Sequence, residues 1–400
     1  MMGAEISTKM SHYIKGLTEV DADEVESIHD IGPPPLDEDY VNPANKSPRW
    51  LLSFHAFALR LAAYIGFKLG NRGVSSPTER IWLDSTLGRW KGKRVISADI
   101  WLPADTPHAA KRPAVINFHG GGFILGSGTD DSPWAETLVG ELGVVVFSVN
   151  YRLAPGYPFP TPVEDCVDAI IQIHALADRY NVDRDRIVLS GFSAGGNLAM
   201  SSWLVLQDPG RWNYDISSSL SSSTTSTSTS TSTSSPSTSS SVFPSTCAAS
   251  LPLPRIAGLV LFYPMLDWTL DRPQKRKVCQ RPDLTLPAGL TDLIDASYLY
   301  PPRPRRERDD VRLSPGLMPD DMIDRLPPVH LCLCEHDMLL AEGKLFAERI
   351  EQRGRRVDVR VVEGERHAWD KPLPFRPKDT AVFEYDVAIS ALRGWFEGVV

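Results

Sequence analysis

From about Arg94 onward, short apolar runs alternate with amphipathic stretches, and this rhythm limits the fold more than any other feature. Residues 95–102 mix apolar and polar side chains as an early strand does. Residues 114–118 (AVINF) and 144–149 (VVVFSV) are short runs rich in β-branched residues, the pattern of strands buried on both faces. Val163, Cys166, Val167, Ile170, Ile171 and His174 then recur at spacings of three and four, which is one face of a helix. Residues 187–190 read as a strand and 194–206 as a helix. Three further strands are expected at 256–262, 329–334 and 357–362, with helices at 342–352 and 381–396. Consecutive parallel strands need a crossover, and a helix is the usual one. The alternation therefore implies an α/β fold with a mostly parallel central sheet flanked by helices.

Composition narrows the function. A hydrophobic share of 42% allows a full core without disulfides. The net charge of −8 argues against nucleic acid as a partner, because phosphate binding needs a basic face. The five cysteines are odd in number and lack the spacing of a disulfide framework. Cys332 and Cys334 sit two apart in an apolar run and should share one strand face. No histidine or cysteine pair completes a zinc site around them, so they read as core thiols in a reducing compartment. No metal or organic cofactor is expected. The opening MMGAEISTKMSHYIKG has no apolar core of a secretory leader, so a cytoplasmic or intracellular membrane-associated location is expected. Nothing in the sequence fixes an oligomeric state.

The rest of the chain divides by composition. Residues 1–45 are polar and acidic and read as a flexible lead-in. Residues 46–90 read as cap helices, and 91–400 as the main domain. Inside the latter, 217–241 is almost wholly Ser and Thr and should be a disordered surface-loop insertion, since it cannot bury apolar area. Residues 268–325, rich in Pro and Arg, read as a second cap segment with a solvated basic surface. Residues 50–70 are nearly long enough to span a bilayer, but Arg60 lies mid-way. A central Arg costs about 2.5–3.5 kcal/mol on insertion. A cap helix over the site is the leading expectation, and membrane-surface contact through 50–70 is the alternative.

The chemistry centres on Gly191-Phe192-Ser193-Ala194-Gly195. A bare G-x-S-x-G arises by chance in roughly one chain in seven of this length, given ordinary glycine and serine usage. Here it follows a strand and opens a helix, the setting a nucleophile elbow requires. The helix N-terminus then points its dipole at a developing oxyanion. His119-Gly120-Gly121-Gly122 also follows a strand. Its glycines let backbone amides approach a substrate, so the Gly121, Gly122 and Ala194 amides are the expected oxyanion donors. A serine hydroxyl needs a base. Of the three histidines after Ser193, His330 lies inside an apolar strand and reads as structural, and His336 adjoins Asp337. His367 follows the last strand, at the end of the sheet where such sites form, and is the expected base. Asp337 follows strand 329–334 and is the expected orienting acid, with Glu335 and Glu342 as alternatives.

These motifs together resemble the hormone-sensitive-lipase-like group of α/β-hydrolases. The resemblance rests on HGGG at 119–122, YRLAPGYPFP at 151–160, GFSAGG at 191–196, SPG at 314–316, LPP at 326–328, EHDML at 335–339 and HAW at 367–369. It covers about residues 90–395 apart from the Ser/Thr tract. It implies an α/β-hydrolase fold with a helical cap, and a Ser193–Asp337–His367 triad. Two positions depart from the pattern: Gly156 stands where Glu is usual, and Ala341 where a second Asp is frequent. The expected reaction is hydrolysis of a small-molecule carboxylic ester through an acyl-enzyme. Lactone, amide or acyl-transfer chemistry on the same triad, and a non-catalytic small-molecule receptor, are the alternatives. Trp50, Phe54, Phe57, Phe123 and Trp134 are candidates to line the pocket or, more simply, to pack the core.

Overall fold

The computed structural model describes residues 46–70, 76–104, 110–216, 252–371 and 378–398. The lead-in 1–45 and the Ser/Thr tract 217–241 lie outside the described residues. All described residues belong to the unit Val41–Val400.

In chain order the strands are β1 (Glu79–Ser85), β2 (Gly92–Trp101), β3 (Arg112–Phe118), β4 (Val145–Asn150), β5 (Val182–Phe192), β6 (Ile256–Phe262), β7 (Val329–His336) and β8 (Val357–Arg366). The principal helices are α1 (Arg49–Gly70), α2 (Ser132–Leu142), α3 (Thr161–Ala175), α4 (Ala194–Gln207), α5 (Arg272–Lys277), α6 (Ala288–Tyr298), α7 (Asp320–Ile323), α8 (Leu340–Gln352) and α9 (Asp379–Glu397). The eight strands form one sheet in the order β1-β2-β4-β3-β5-β6-β7-β8. β2 is antiparallel to both β1 and β4, and every other pairing is parallel.

The period of two along each strand sorts the core into two faces. Ile116, Ile187, Leu189, Leu259, Leu261, Leu331 and Leu333 pack with α3, α4 and α8. Val115, Val188, Val260, Cys332 and Cys334 point the other way, against α2 and α9. Both cysteines therefore share one face, and the four described cysteines are free thiols. Burial on both faces explains why these strands read as continuous apolar runs rather than alternating ones.

Residues 79–85, expected within a run of cap helices, form edge strand β1 instead. The sequence ERIWLDS alternates: Ile81, Leu83 and Ser85 are buried while Arg80 and Trp82 face outward. That is a strand period, not a helical one.

Part of the basic segment 268–325 departs from a solvated surface, although Lys277, Arg281, Arg306 and Arg325 are exposed. Arg272 pairs with Asp295 at 2.7 Å, Lys275 pairs with Glu342, and Arg305 lies 3.7 Å from Asp271. All three cations are buried, so their charge is spent inside the fold. The Arg272–Asp295 pair ties α5 to α6, and α1 packs on α6.

Candidate active site

β5 ends at Phe192 and α4 begins at Ala194, so Ser193 is the whole turn. Its φ of 53° lies in the left-handed region, a strained place for a residue with a Cβ. The backbone holds it there: the Ser193 amide donates to the Phe262 carbonyl at 2.8 Å, and the Asn197 amide donates to the Ser193 carbonyl at 3.1 Å. The turn is tight because α4 runs straight back under β3. A Cβ on Gly195 would sit 1.8 Å from the Phe118 carbonyl oxygen, so only glycine fits.

The HGGG loop leaves β3 beside this turn. Gly121 has φ 111°, and its carbonyl accepts from the Ile124 and Leu125 amides, which closes the loop into a compact turn. His119 is buried and lends structure rather than chemistry. Its ring stacks on Tyr151 at 4.2 Å, its Nδ1 lies 2.7 Å from the Gly120 carbonyl, and the Tyr151 hydroxyl donates to its carbonyl at 2.8 Å. This fixes the base of the glycine run from both sides.

Asp337 and His367 emerge after neighbouring strands β7 and β8, at the carboxyl end of the sheet. His367 Nε2 lies 2.8 Å from Ser193 Oγ, and His367 Nδ1 lies 2.6 Å from Asp337 Oδ2. The second carboxylate oxygen of Asp337 accepts the Leu339 amide at 3.2 Å. That amide supports the acid loop, which has Ala341 where a second Asp is frequent in the group. Ser193, His367 and Asp337 thus form one hydrogen-bonded line, assembled from residues 144 and 30 positions apart by number. The alternative acids are occupied elsewhere. Glu342 holds Lys275 and accepts the Leu266 amide, and Glu335 accepts the Gly364 amide at 2.6 Å. His330 is buried in β7 with neither ring nitrogen partnered among the described residues, and burial lowers its pKa to about 4.

A cavity of about 460 Å³ opens over Ser193. Its floor is Gly120, Gly121, Gly122, Ser193, Ala194 and His367. Its walls are mostly apolar, with Leu59, Ala62 and Ala63 from α1, Leu286 before α6, Leu290 and Ile294 on α6, and Phe123, Met265, Met338 and Leu339, while Asp130, Asp131, Arg272, Thr291 and Lys371 also border it. The volume is that of a small-molecule site. Of the five aromatic candidates for the lining, only Phe123 borders the cavity. Trp134 is fully buried beneath the sheet, and Trp50, Phe54 and Phe57 face outward. α1 turns Leu52, Ala56, Leu59 and Ala63 inward, so residues offset by half a turn must point away.

Residues 115–371 match the model of a family described by the alpha/beta hydrolase fold. The chain belongs to this family. The α/β-hydrolase chain is 37% identical to an arylesterase of Saccharolobus solfataricus over 125 residues, 30% of this chain and 41% of that protein. It is 39% identical to hormone-sensitive lipase of Mus musculus over 97 residues, 24% of this chain and 13% of that protein. The chain spans about half the length, or less, of the first curated relatives it matches. Among solved structures it resembles a thermostable carboxylesterase cloned from a metagenomic library, with TM-score 0.62 and 26% identity, covering 85% of this chain and 97% of that one.

In this α/β hydrolase the site rests on a buried polar layer that sequence reasoning missed. Lys371, four residues after His367, lies 2.6 Å from Asp370 and 3.2 Å from Asp131, with its ammonium 3.4 Å from the centre of the Phe192 ring. Burial would lower the Lys371 pKa, but the two carboxylates outweigh it and raise it. Asp370 also accepts from the Tyr263 and Tyr385 hydroxyls. Tyr263 in turn meets the His367 ring edge-on at 4.8 Å. Asp131 accepts from Asn117 at 2.8 Å, and Ser190 donates to Asn117 at 2.7 Å. The histidine loop, the elbow strand and the start of α2 are therefore locked together by one network. The only sequence signal was the adjacent Asp-Lys pair after HAW, which by itself reads as solvated charge.

Proposed function

We propose that this chain is a serine carboxylesterase that cleaves small-molecule esters of short to medium acyl chain through an acyl-enzyme on Ser193. The observation that carries this reading is the Ser193–His367–Asp337 line, with contacts of 2.8 and 2.6 Å. A serine hydroxyl this close to imidazole Nε2 can pass its proton as it attacks a carbonyl carbon. Asp337 accepts from Nδ1–H, which holds the tautomer whose Nε2 is free to take that proton. The ionised carboxylate then stabilises the imidazolium. The Gly121, Gly122 and Ala194 amides receive the oxyanion, and each such donor is worth about 2.7–4 kcal/mol. His367 returns the proton to the leaving alcohol. Water attacks the acyl-enzyme by the same path in reverse.

The cavity supports an apolar acyl or aryl group rather than a charged one. Its walls are mostly leucine, methionine, isoleucine and phenylalanine, and the ions that also border it are partnered: Lys371 with Asp131 and Asp370, Arg272 with Asp295, and Asp130 with Ser127. The relatives carry the names arylesterase and carboxylesterase, in keeping with such a substrate. Free thiols, three of four described ones buried, fit a reducing intracellular compartment. The decisive experiment is Ser193→Ala assayed with p-nitrophenyl butyrate. Turnover should vanish together with labelling by a fluorophosphonate probe. Retained turnover would remove Ser193 as nucleophile.

A further inference from the structure

The two faces of α1 differ in what they touch. The inner face is fastened to the body by two arginines that cap loop carbonyls. Arg49 donates to Pro155 and Gly156 at 3.0 and 2.6 Å, and Arg60 donates to Ile124 and Ala154 at 2.6 Å each. Leu59, Ala62 and Ala63 form part of the cavity wall. The opposite face carries Trp50, Phe54, Phe57, Leu61, Tyr64 and Ile65, each between 51% and 71% exposed. Their offsets of 0, 4, 7, 11, 14 and 15 put all six on one stripe. Isolated exposed apolar residues are ordinary, but a continuous stripe is not.

The charge of the segment selects the occupant. Arg49 and Arg60 are committed to loop carbonyls of the body, but residues 41–78 also contain Lys46, Lys68 and Arg72 and no Asp or Glu, in a chain whose net charge is −8. An apolar stripe with Trp near one end, Tyr near the other and basic residues in sequence on both sides is the composition of a helix that lies in a lipid–water interface. An anionic lipid surface attracts such a segment. A second copy would bring like charge against like charge, which disfavours self-pairing. The committed positions of Arg49 and Arg60 also argue for a helix that lies on the surface. Among the described residues no helix is long and apolar enough to cross a membrane.

We propose that the outer stripe of α1 docks this protein onto anionic lipid surfaces. Because the same helix is a wall of the cavity over Ser193, docking sets that cavity beside the lipid phase. On the esterase reading, apolar esters dissolved in the bilayer are then the nearest substrate pool. The docking itself does not depend on catalysis, so it is tested without it. The full chain carrying Ser193→Ala is floated with vesicles of equal parts phosphatidylcholine and phosphatidylglycerol, beside the same chain with Trp50→Ser, Phe54→Ser and Phe57→Ser added. The first should rise with the vesicles, and the floated fraction should fall at least tenfold in the second. The triple replacement in the otherwise unchanged chain should leave hydrolysis of water-soluble p-nitrophenyl acetate intact, which shows that the fold survives. If the first chain stays at the bottom of the gradient, or both chains float equally, the proposal is overturned. Concentration-dependent dimers that the triple replacement abolishes, without vesicle binding, would assign the stripe to a second copy instead.

Discussion

His330 offers a quantitative test of how the three downstream histidines are divided between structure and chemistry. It sits in β7, 1% exposed, with no hydrogen-bond partner on either ring nitrogen among the described residues. Burial, aided by the nearby Arg360 cation, lowers its pKa from an ordinary 6.5 to about 4. A base with a depressed folded pKa is protonated first in the unfolded chain. Its share of stability is therefore fully present above pH 6.5 and is lost as the pH falls toward about 4. Integrating the proton uptake of both states gives a loss of roughly 2 kcal/mol from this one group between pH 7 and pH 5. His330→Leu removes the titration and keeps a similar volume. Urea unfolding at pH 7 and pH 5 should show the parent losing roughly 2 kcal/mol more than the variant. The variant should also keep ester turnover at neutral pH, because His330 does not border the cavity. An equal acid loss in the two proteins would refute the reasoning, since it would mean that the ring is already paired or hydrated in the folded state.

Two further outcomes follow from the site and its supports. Asp337→Asn should preserve the fold but leave His367 in the wrong tautomer, so kcat should fall by about 10⁴ with KM little changed, measured on p-nitrophenyl butyrate. Lys275→Met leaves Glu342 buried without its cation and should destabilise the protein by about 3–5 kcal/mol in urea unfolding. A double replacement of Lys275 and Glu342 by apolar residues should recover most of that loss, since no unpaired charge then remains.

The fold class was legible because the strands advertise themselves. A strand buried on both faces is apolar at nearly every position, and 114–118, 187–190 and 256–262 are so apart from Asn117 and Ser190, which hydrogen-bond to each other. Edge strand β1 was missed because its alternating ERIWLDS lies among polar residues and carries no crossover signal. The proposed acid and base, Asp337 and His367, could be picked out as the residues following β7 and β8, since ligand sites in such folds form at the carboxyl end of a parallel sheet.

Ser193 reads as a candidate nucleophile from local sequence alone: a strand behind it, a helix ahead, and glycines on both sides of a tight turn. Sequence also determined the parallel sheet, because alternating strands and helices leave little other choice. Only the tertiary structure decided what surrounds the serine. The Lys371–Asp131 and Asp370–Tyr263 contacts, the pairing of Glu342 with Lys275, and the outward turn of Trp50, Phe54 and Phe57 all depend on how segments far apart in the chain pack together. A charged or aromatic residue looks the same in sequence whether it faces solvent or a partner. The direction a side chain faces is set by how its element docks, and docking is a property of the whole fold.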